Sequence, residues 1–186
     1  MASLLARLKK PAGESVGLFL HPRRKDATRF AKQQLTPFLK KKGIAVAVNL
    51  TGSLFNIAVG GDGSLIGIFR HFPRRCVPAI GIQTGDASAM LELKKDSAIK
   101  DLEQIFKGQF RLVKRLRLAL TVPAQRIGSD EFDNPLYQIR PAHARSTLFT
   151  AFNEMVLGPL DHKVLSIELY IDGQPQFPIV GNGVII

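Results

Sequence analysis

Apolar and polar residues follow one pattern in the first part of the chain and another in the rest. Early on, apolar residues come in short unbroken runs: Val16-Gly17-Leu18-Phe19-Leu20, Ile44-Ala45-Val46-Ala47-Val48, Phe55-Asn56-Ile57-Ala58-Val59 and Val77-Pro78-Ala79-Ile80-Gly81-Ile82. Runs of this length predict strands buried on both faces, as in a parallel sheet. Between the first two, Ala27, Phe30, Ala31, Leu35, Phe38 and Leu39 recur at helical spacing, with Asp26 as the expected N-cap and a kink or break expected at Pro37. Gly43 suits the end of that helix. Helices are also predicted from Ser64 to Phe69 and from Ala98 to Phe106. Strand–helix–strand alternation argues for an α/β unit with a mostly parallel, Rossmann-like sheet.

Beyond Gly108 the period changes to two. Phe110, Leu112, Leu116, Leu118, Leu120 and Val122 alternate with polar or small residues, which predicts half-solvated strands. Residues 123–146 are polar and proline-bearing and read as structureless. Strands are expected again at Thr147-Leu148-Phe149, over Asn153 to Leu157 and over Lys163 to Tyr170, with Asp172-Gly173 as a hairpin turn. The chain stops on Val184-Ile185-Ile186. The expected organisation is therefore an α/β domain over 1–112 and an incomplete, sandwich-type all-β domain over 113–186, the chain being a fragment of something longer.

The strand ending at Val59 runs at once into Gly60-Gly61-Asp62-Gly63-Ser64. Glycines there let backbone N–H groups approach a ligand, and the carboxyl end of a central strand is where open α/β sheets bind ligands. A helix N-terminus just after it suits phosphate. Asp62 repels phosphate unless a metal, a basic group or a hydroxyl proton answers it, so it reads as a base for a hydroxyl or a metal contact. Left to itself, such a turn is equally a tight connection without a ligand.

Composition narrows the choice of partner. The 186 residues have 45% apolar content, mean hydropathy near zero and one cysteine, Cys76. That excludes an internal disulfide and a cysteine-rich metal site. His21, His71, His143 and His162 have no ligand spacing. A net charge of +11 implies anionic company, drawn from small clusters such as Arg23-Arg24-Lys25 and Lys40-Lys41-Lys42. Nucleic acid is disfavoured by the lack of tryptophan and of any recognisable binding module. No apolar run is long enough to cross a bilayer, and a cytoplasmic location is expected. In a parallel sheet the Arg23–Lys25 loop leaves the first strand on the same edge as the glycine turn, which makes Arg23 and Arg24 the best-placed cations for phosphate.

Four features in order resemble the NAD kinases: the Gly60-Gly61-Asp62-Gly63-Ser64 turn, the Gly81-Ile82-Gln83-Thr84-Gly85 loop, the Asn153-Glu154 pair in a β segment, and the hairpin leading to Gly181-Asn182-Gly183. Phe106-Lys107-Gly108-Gln109-Phe110 into Arg115-Leu116 is similar to the family's domain junction. The glycine–aspartate turn is shared with lipid kinases and phosphofructokinase-like enzymes, but the distant Asn-Glu pair is similar to NAD kinase. The resemblance implies a phosphofructokinase-like fold and transfer of the γ-phosphoryl of ATP, or of polyphosphate, to the 2′-hydroxyl of the adenosine ribose of NAD. A divalent metal, Mg²⁺ by expectation, would assist, with no protein side chain assigned to it. Carried over, Asp62 is the base, Gly63 lines the site, Asn153, Glu154, Lys163 and Asn182 hold NAD, and Gly60, Gly61, Arg23 and Arg24 meet phosphate. A homo-oligomer is implied for the full-length form.

Departures keep alternatives open. The family's Asn is Gln83, its Gly-Phe-Leu is Ser88-Ala89-Met90, and its later Gly-Asp-Gly is Gly181-Asn182-Gly183. Val180 stands near a position that is often arginine, and the threonine- and glycine-rich segment that normally follows is absent. A non-catalytic nucleotide-binding relative, or a kinase of a lipid or sugar phosphate on the same scaffold, remains compatible with these residues.

Overall fold

The computed structural model describes residues 2–21, 23–47, 50, 52–70, 72, 78–129, 135–139, 146–152, 155–159 and 164–185. The chain divides into two compact units, Met1–Arg115 and Leu116–Ile186.

The first unit opens with helix α1 (Ala2–Lys9) and is organised on one parallel sheet. Its strands are β1 (Ser15–Leu20), β2 (Ala45–Ala47), β3 (Asn56–Gly60), β4 (Ala79–Gln83) and β5 (Leu93–Lys94), in spatial order β2-β1-β3-β4-β5. Every pairing is parallel. The strand order reverses between β1 and β3, and such a switch point leaves a crevice outside the carboxyl ends of the strands.

β3 is buried along its whole length, and its period-two alternation feeds two cores. Ile57 and Val59 pack with Ala27, Phe30, Leu35 and Leu39 of one helical layer and with Leu102 and Phe106 of α5 (Ala98–Phe106). Ala58 packs on the opposite face with Leu65 and Ile68 of α4 (Asp62–Arg70). Helices thus cover both faces, as the unbroken apolar runs predict.

Three expectations for this unit need correction. The helix does not break at Pro37: α2 (Lys25–Phe30) passes through a π-helical turn (Ala31–Leu35) into α3 (Thr36–Lys41), with Pro37 in the first turn of α3. The wider turn takes up the missing N–H and the ring clash that proline imposes on an α-helix. Asp26 is not the N-cap but lies in the first turn of α2, where a negative charge suits the helix N-terminus. β2 is an edge strand and only half covered, because no strand among the described residues pairs with its outer side.

In the second unit the strands form antiparallel pairs: β6 (Leu118–Val122) with β9 (Thr147–Ala151), β7 (Ala124–Ser129) with β8 (Pro135–Ile139), β10 (Val156–Leu157) with β15 (Val184–Ile185), β11 (Leu165–Ile167) with β14 (Ile179–Gly181), and β12 (Tyr170–Ile171) with β13 (Gln174–Pro175). The stretch read as structureless therefore holds a hairpin, β7–β8, with a register irregularity at Arg126/Gly128. Asp172 and Gly173 both have positive φ, the signature of a type I′ hairpin turn, and join β12 to β13 as expected. Among the described residues, no helix is long and apolar enough to cross a membrane.

Candidate functional site

Three loops at the carboxyl ends of β1, β3 and β4 meet in the first unit. Gly60 closes β3 with φ +146, and a Cβ there would lie 2.5 Å from Ser64 Oγ, so backbone conformation and space both demand glycine. The Thr84 N–H donates to Gly60 O at 3.0 Å, tying the β4 loop to the glycine turn. Arg24, from the β1 loop, fills the space against the β4 loop: a Cβ on Gly85 would sit 2.6 Å from its Nη2. Gly61 faces the same guanidinium, at 3.8 Å for a built Cβ.

The Arg24 guanidinium is also engaged by Asp26, with Nη2 to Oδ2 at 2.8 Å and Nε to Oδ1 at 3.2 Å. This bidentate grip holds the Asp26 carboxyl far below the usual carboxylate range. The Thr84 hydroxyl adds to that field without good hydrogen-bond geometry, and the Ala27 N–H contributes further. Arg24 is thereby a cation anchored at the mouth of the sheet, while Arg23 is exposed in the same loop.

Asp62 is the first residue of α4. Its carboxylate is held by the segment after β4: the Ser88 hydroxyl donates to Oδ1, the Met90 N–H donates to Oδ1 at 3.1 Å, and the Ala89 N–H donates to Oδ2 at 3.1 Å. Partial burial pushes the Asp62 carboxyl up, but the Ser88 hydroxyl and the two N–H groups outweigh it and leave it below its ordinary value. Asp62 is therefore a fully charged carboxylate at neutral pH. It lines a cleft of about 520 Å³ together with Gln83, Asp86, Ser88 and Lys94. Gln83 braces the rim by donating from Nε2 to Gly85 O at 2.8 Å.

The structure thus brings Gly60, Gly61, Asp62 and Arg24 together, with Gly63 in the first turn of α4 facing open space and Arg23 in the β1 loop. Asn182 lies exposed in the second unit, between β14 and β15. Asn153, Glu154 and Lys163 lie outside the described residues. Asp86, Ser88 and Lys94 have no site role in the sequence reading; they are separated by Ala87, Ala89, Met90, Leu91 and Leu93, so no local pattern marks them out. Among the described residues, no three His, Cys, Asp or Glu side chains gather into a set that could hold a metal ion.

A scan against protein-family models finds no match. Curated relatives do match. The chain is 27% identical over 195 residues to an NAD kinase of Yersinia pestis and 30% identical over 195 residues to one of Edwardsiella ictaluri, covering 93% of this chain and 60% of each relative. It is also 32% identical over 132 residues to an NAD kinase of Acinetobacter baylyi, covering 70% of this chain and 37% of that protein. The structure superposes on a yeast NADH kinase complexed with NADH at TM-score 0.66 and 13% identity, covering 92% of this chain and 56% of the other. It superposes on an NAD kinase from Archaeoglobus fulgidus in complex with ATP at TM-score 0.62 and 20% identity, covering 92% and 59%. The chain spans about 60% of the length of the first curated relatives it matches. In sequence the chain is similar to NAD kinases over most of its length, and in fold its α/β unit followed by small antiparallel strands is similar to the two solved kinase structures.

Proposed function

We propose that this chain carries the catalytic half of an NAD kinase, transferring the γ-phosphoryl of ATP, or a phosphoryl of polyphosphate, to the 2′-hydroxyl of the adenosine ribose of NAD. The ribose O2′ attacks the γ-phosphorus, the bond from that phosphorus to the bridging oxygen breaks, ADP leaves, and the hydroxyl proton passes to Asp62. Such transfer is mostly positioning and charge neutralisation, with one base for the attacking hydroxyl. The observation that carries the reading is Asp62 itself: a charged carboxylate lining the cleft at the mouth of the sheet, beside the glycine turn and within the same loop cluster as Arg24.

Residues 1–112 would bind nucleotide, with Gly60, Gly61, Arg23 and Arg24 receiving phosphate oxygens and Gly63 lining the ribose side. Residues 113–186 would bind NAD through Asn153, Glu154, Lys163 and Asn182. The described residues do not build a metal cage, so a divalent ion such as Mg²⁺ would come held by the donor's own phosphates, and no step is assigned to it. A cytoplasmic location and a homo-oligomeric full-length protein belong to the same reading, as partners the nucleotides NAD and ATP.

The test is NADP formation from NAD and ATP. Wild type should form NADP, and Asp62→Ala should lower the rate by about 10²–10⁴, the usual contribution of a positioned base. Equal rates in the two proteins would remove Asp62 from the chemistry. No NADP from wild type would overturn the kinase reading of the chain.

A further inference from the structure

Asp62 is held by a residue type that the family resemblance does not provide. Where NAD kinases usually have Gly-Phe-Leu, this chain has Ser88-Ala89-Met90, and the Ser88 side chain reaches the carboxylate. The direction of that bond is fixed. The Ser88 oxygen accepts from the Leu91 N–H at 3.0 Å and from the Met90 N–H at 3.3 Å, so its lone pairs are engaged and its proton is free to donate. An ionised carboxylate can only accept.

Acceptor counting then separates the two carboxylate oxygens. Each has two lone-pair positions. Oδ1 takes the Ser88 hydroxyl and the Met90 N–H and is full. Among the described residues, Oδ2 takes only the Ala89 N–H. We propose that Ser88 is a positioning residue for Asp62, fixing the carboxylate by one oxygen so that Oδ2 presents its remaining lone pair to the substrate hydroxyl. This rests on the reading of Asp62 as the base.

Ser88 acts through Asp62 and also orders its own loop, by accepting from Met90 and Leu91. Its removal should therefore leave a looser carboxylate that holds its proton more tightly. Among the described residues, the other charged groups near the carboxylate are Asp86 and Lys94, which line the same cleft, and Arg24, beside Gly61. All three are unchanged in the variants below, so a change in titration reports on Ser88.

The experiment follows the Asp62 carboxyl by ¹³C NMR through an acid titration of the full chain, its resonance assigned from its loss in Asp62→Asn. Alongside it, kcat and KM for NAD are measured across pH. In Ser88→Ala and Ser88→Gly the carboxyl should titrate at higher pH than in wild type, because a donor to the charged form is gone. The acid limb of kcat should move up with it. Above that limb kcat should fall roughly tenfold with KM for NAD unchanged, as expected when a base is misaimed while substrate binding stays intact. Ser88→Thr, which keeps the hydroxyl, should restore both readouts. A carboxyl titration that is the same in wild type, Ser88→Ala and Ser88→Gly would overturn the proposal whatever the activity. So would a kcat that falls without the titration moving, since that describes a merely structural loop residue. Retained activity in Asp62→Asn is a different failure and removes the base reading on which this one stands.

Discussion

The two units of the chain handle their apolar side chains in opposite ways. In the first, Val16, Leu35, Leu39, Ile57, Ile68, Ile82 and Leu102 are fully enclosed, and the buried hydrophobic residues among those described all lie at or before Phe106. In the second, Leu116 is 94% exposed and Phe177 93% exposed, with Val156, Val180 and Ile185 also at the surface. The first unit has a five-stranded sheet clothed by helices on both faces, so each apolar run has somewhere to go. The described strands of the second form two-stranded pairs, and a pair of strands has no inner side against which to bury an alternating face. The difference teaches where the proposed site gets its packed support. Asp62, Arg24 and the loop that holds them all hang from the enclosed sheet.

Substitutions can break that comparison or sharpen it. The largest effect is expected at Ile57, which sits in the central strand with no exposed surface. Ile57→Ala should cost about 2–5 kcal/mol in denaturant unfolding of the first unit, through lost burial and the cavity left behind. A loss below about 0.5 kcal/mol would mean that the sheet is not the stable element of the chain.

A smaller effect is expected from acid. Asp26 and Asp62 are both held below their ordinary carboxyl range, Asp26 first by Arg24, and Asp62 by donors that outweigh its partial burial. With folded-state values below those of the unfolded chain, about 3.9, their stabilisation is fully present above that pH and is lost as pH falls through the folded values. The Tm of wild type should therefore converge on that of Asp26→Asn as the pH is lowered from about 5 toward about 2. A gap that stays constant over that range would contradict the sign. Asp26 is partly exposed, so solvent screening keeps the effect modest.

The smallest effect is expected at Phe177. Phe177→Ser should change stability by less than about 0.5 kcal/mol and raise the solubility of the chain, since the ring touches solvent almost everywhere. A cost of about 2 kcal/mol or more would show that the second unit buries this residue, and would erase the contrast.

Much of the enclosed unit was legible in the order of residues, because burial on both faces writes itself as an unbroken apolar run. Phe55 to Val59 and the glycine–aspartate turn after it are such a case. What the order of residues does not reveal depends on partners distant in the chain or on elements too short to have a period. The Ser88–Asp62 bond spans 26 positions, and no local pattern announces it. β5 has two residues. Each face of the β7–β8 hairpin mixes polar and apolar residues, Arg126 with Tyr137 and Ile139 on one and Gln125 and Gln138 with Leu136 on the other, so the clean alternation of a half-buried strand is lost. β2 has the composition of an interior strand, and only its place in the sheet makes it an edge.

The most direct test of the role given to Asp62 is ³¹P NMR of the chain mixed with NAD and ATP. Wild type should generate a new phosphomonoester resonance at the ribose 2′ position, and Asp62→Asn, which keeps the size of the side chain and loses the charge, should generate it at least about a hundredfold more slowly. The same resonance appearing at the same rate in both proteins would contradict the account.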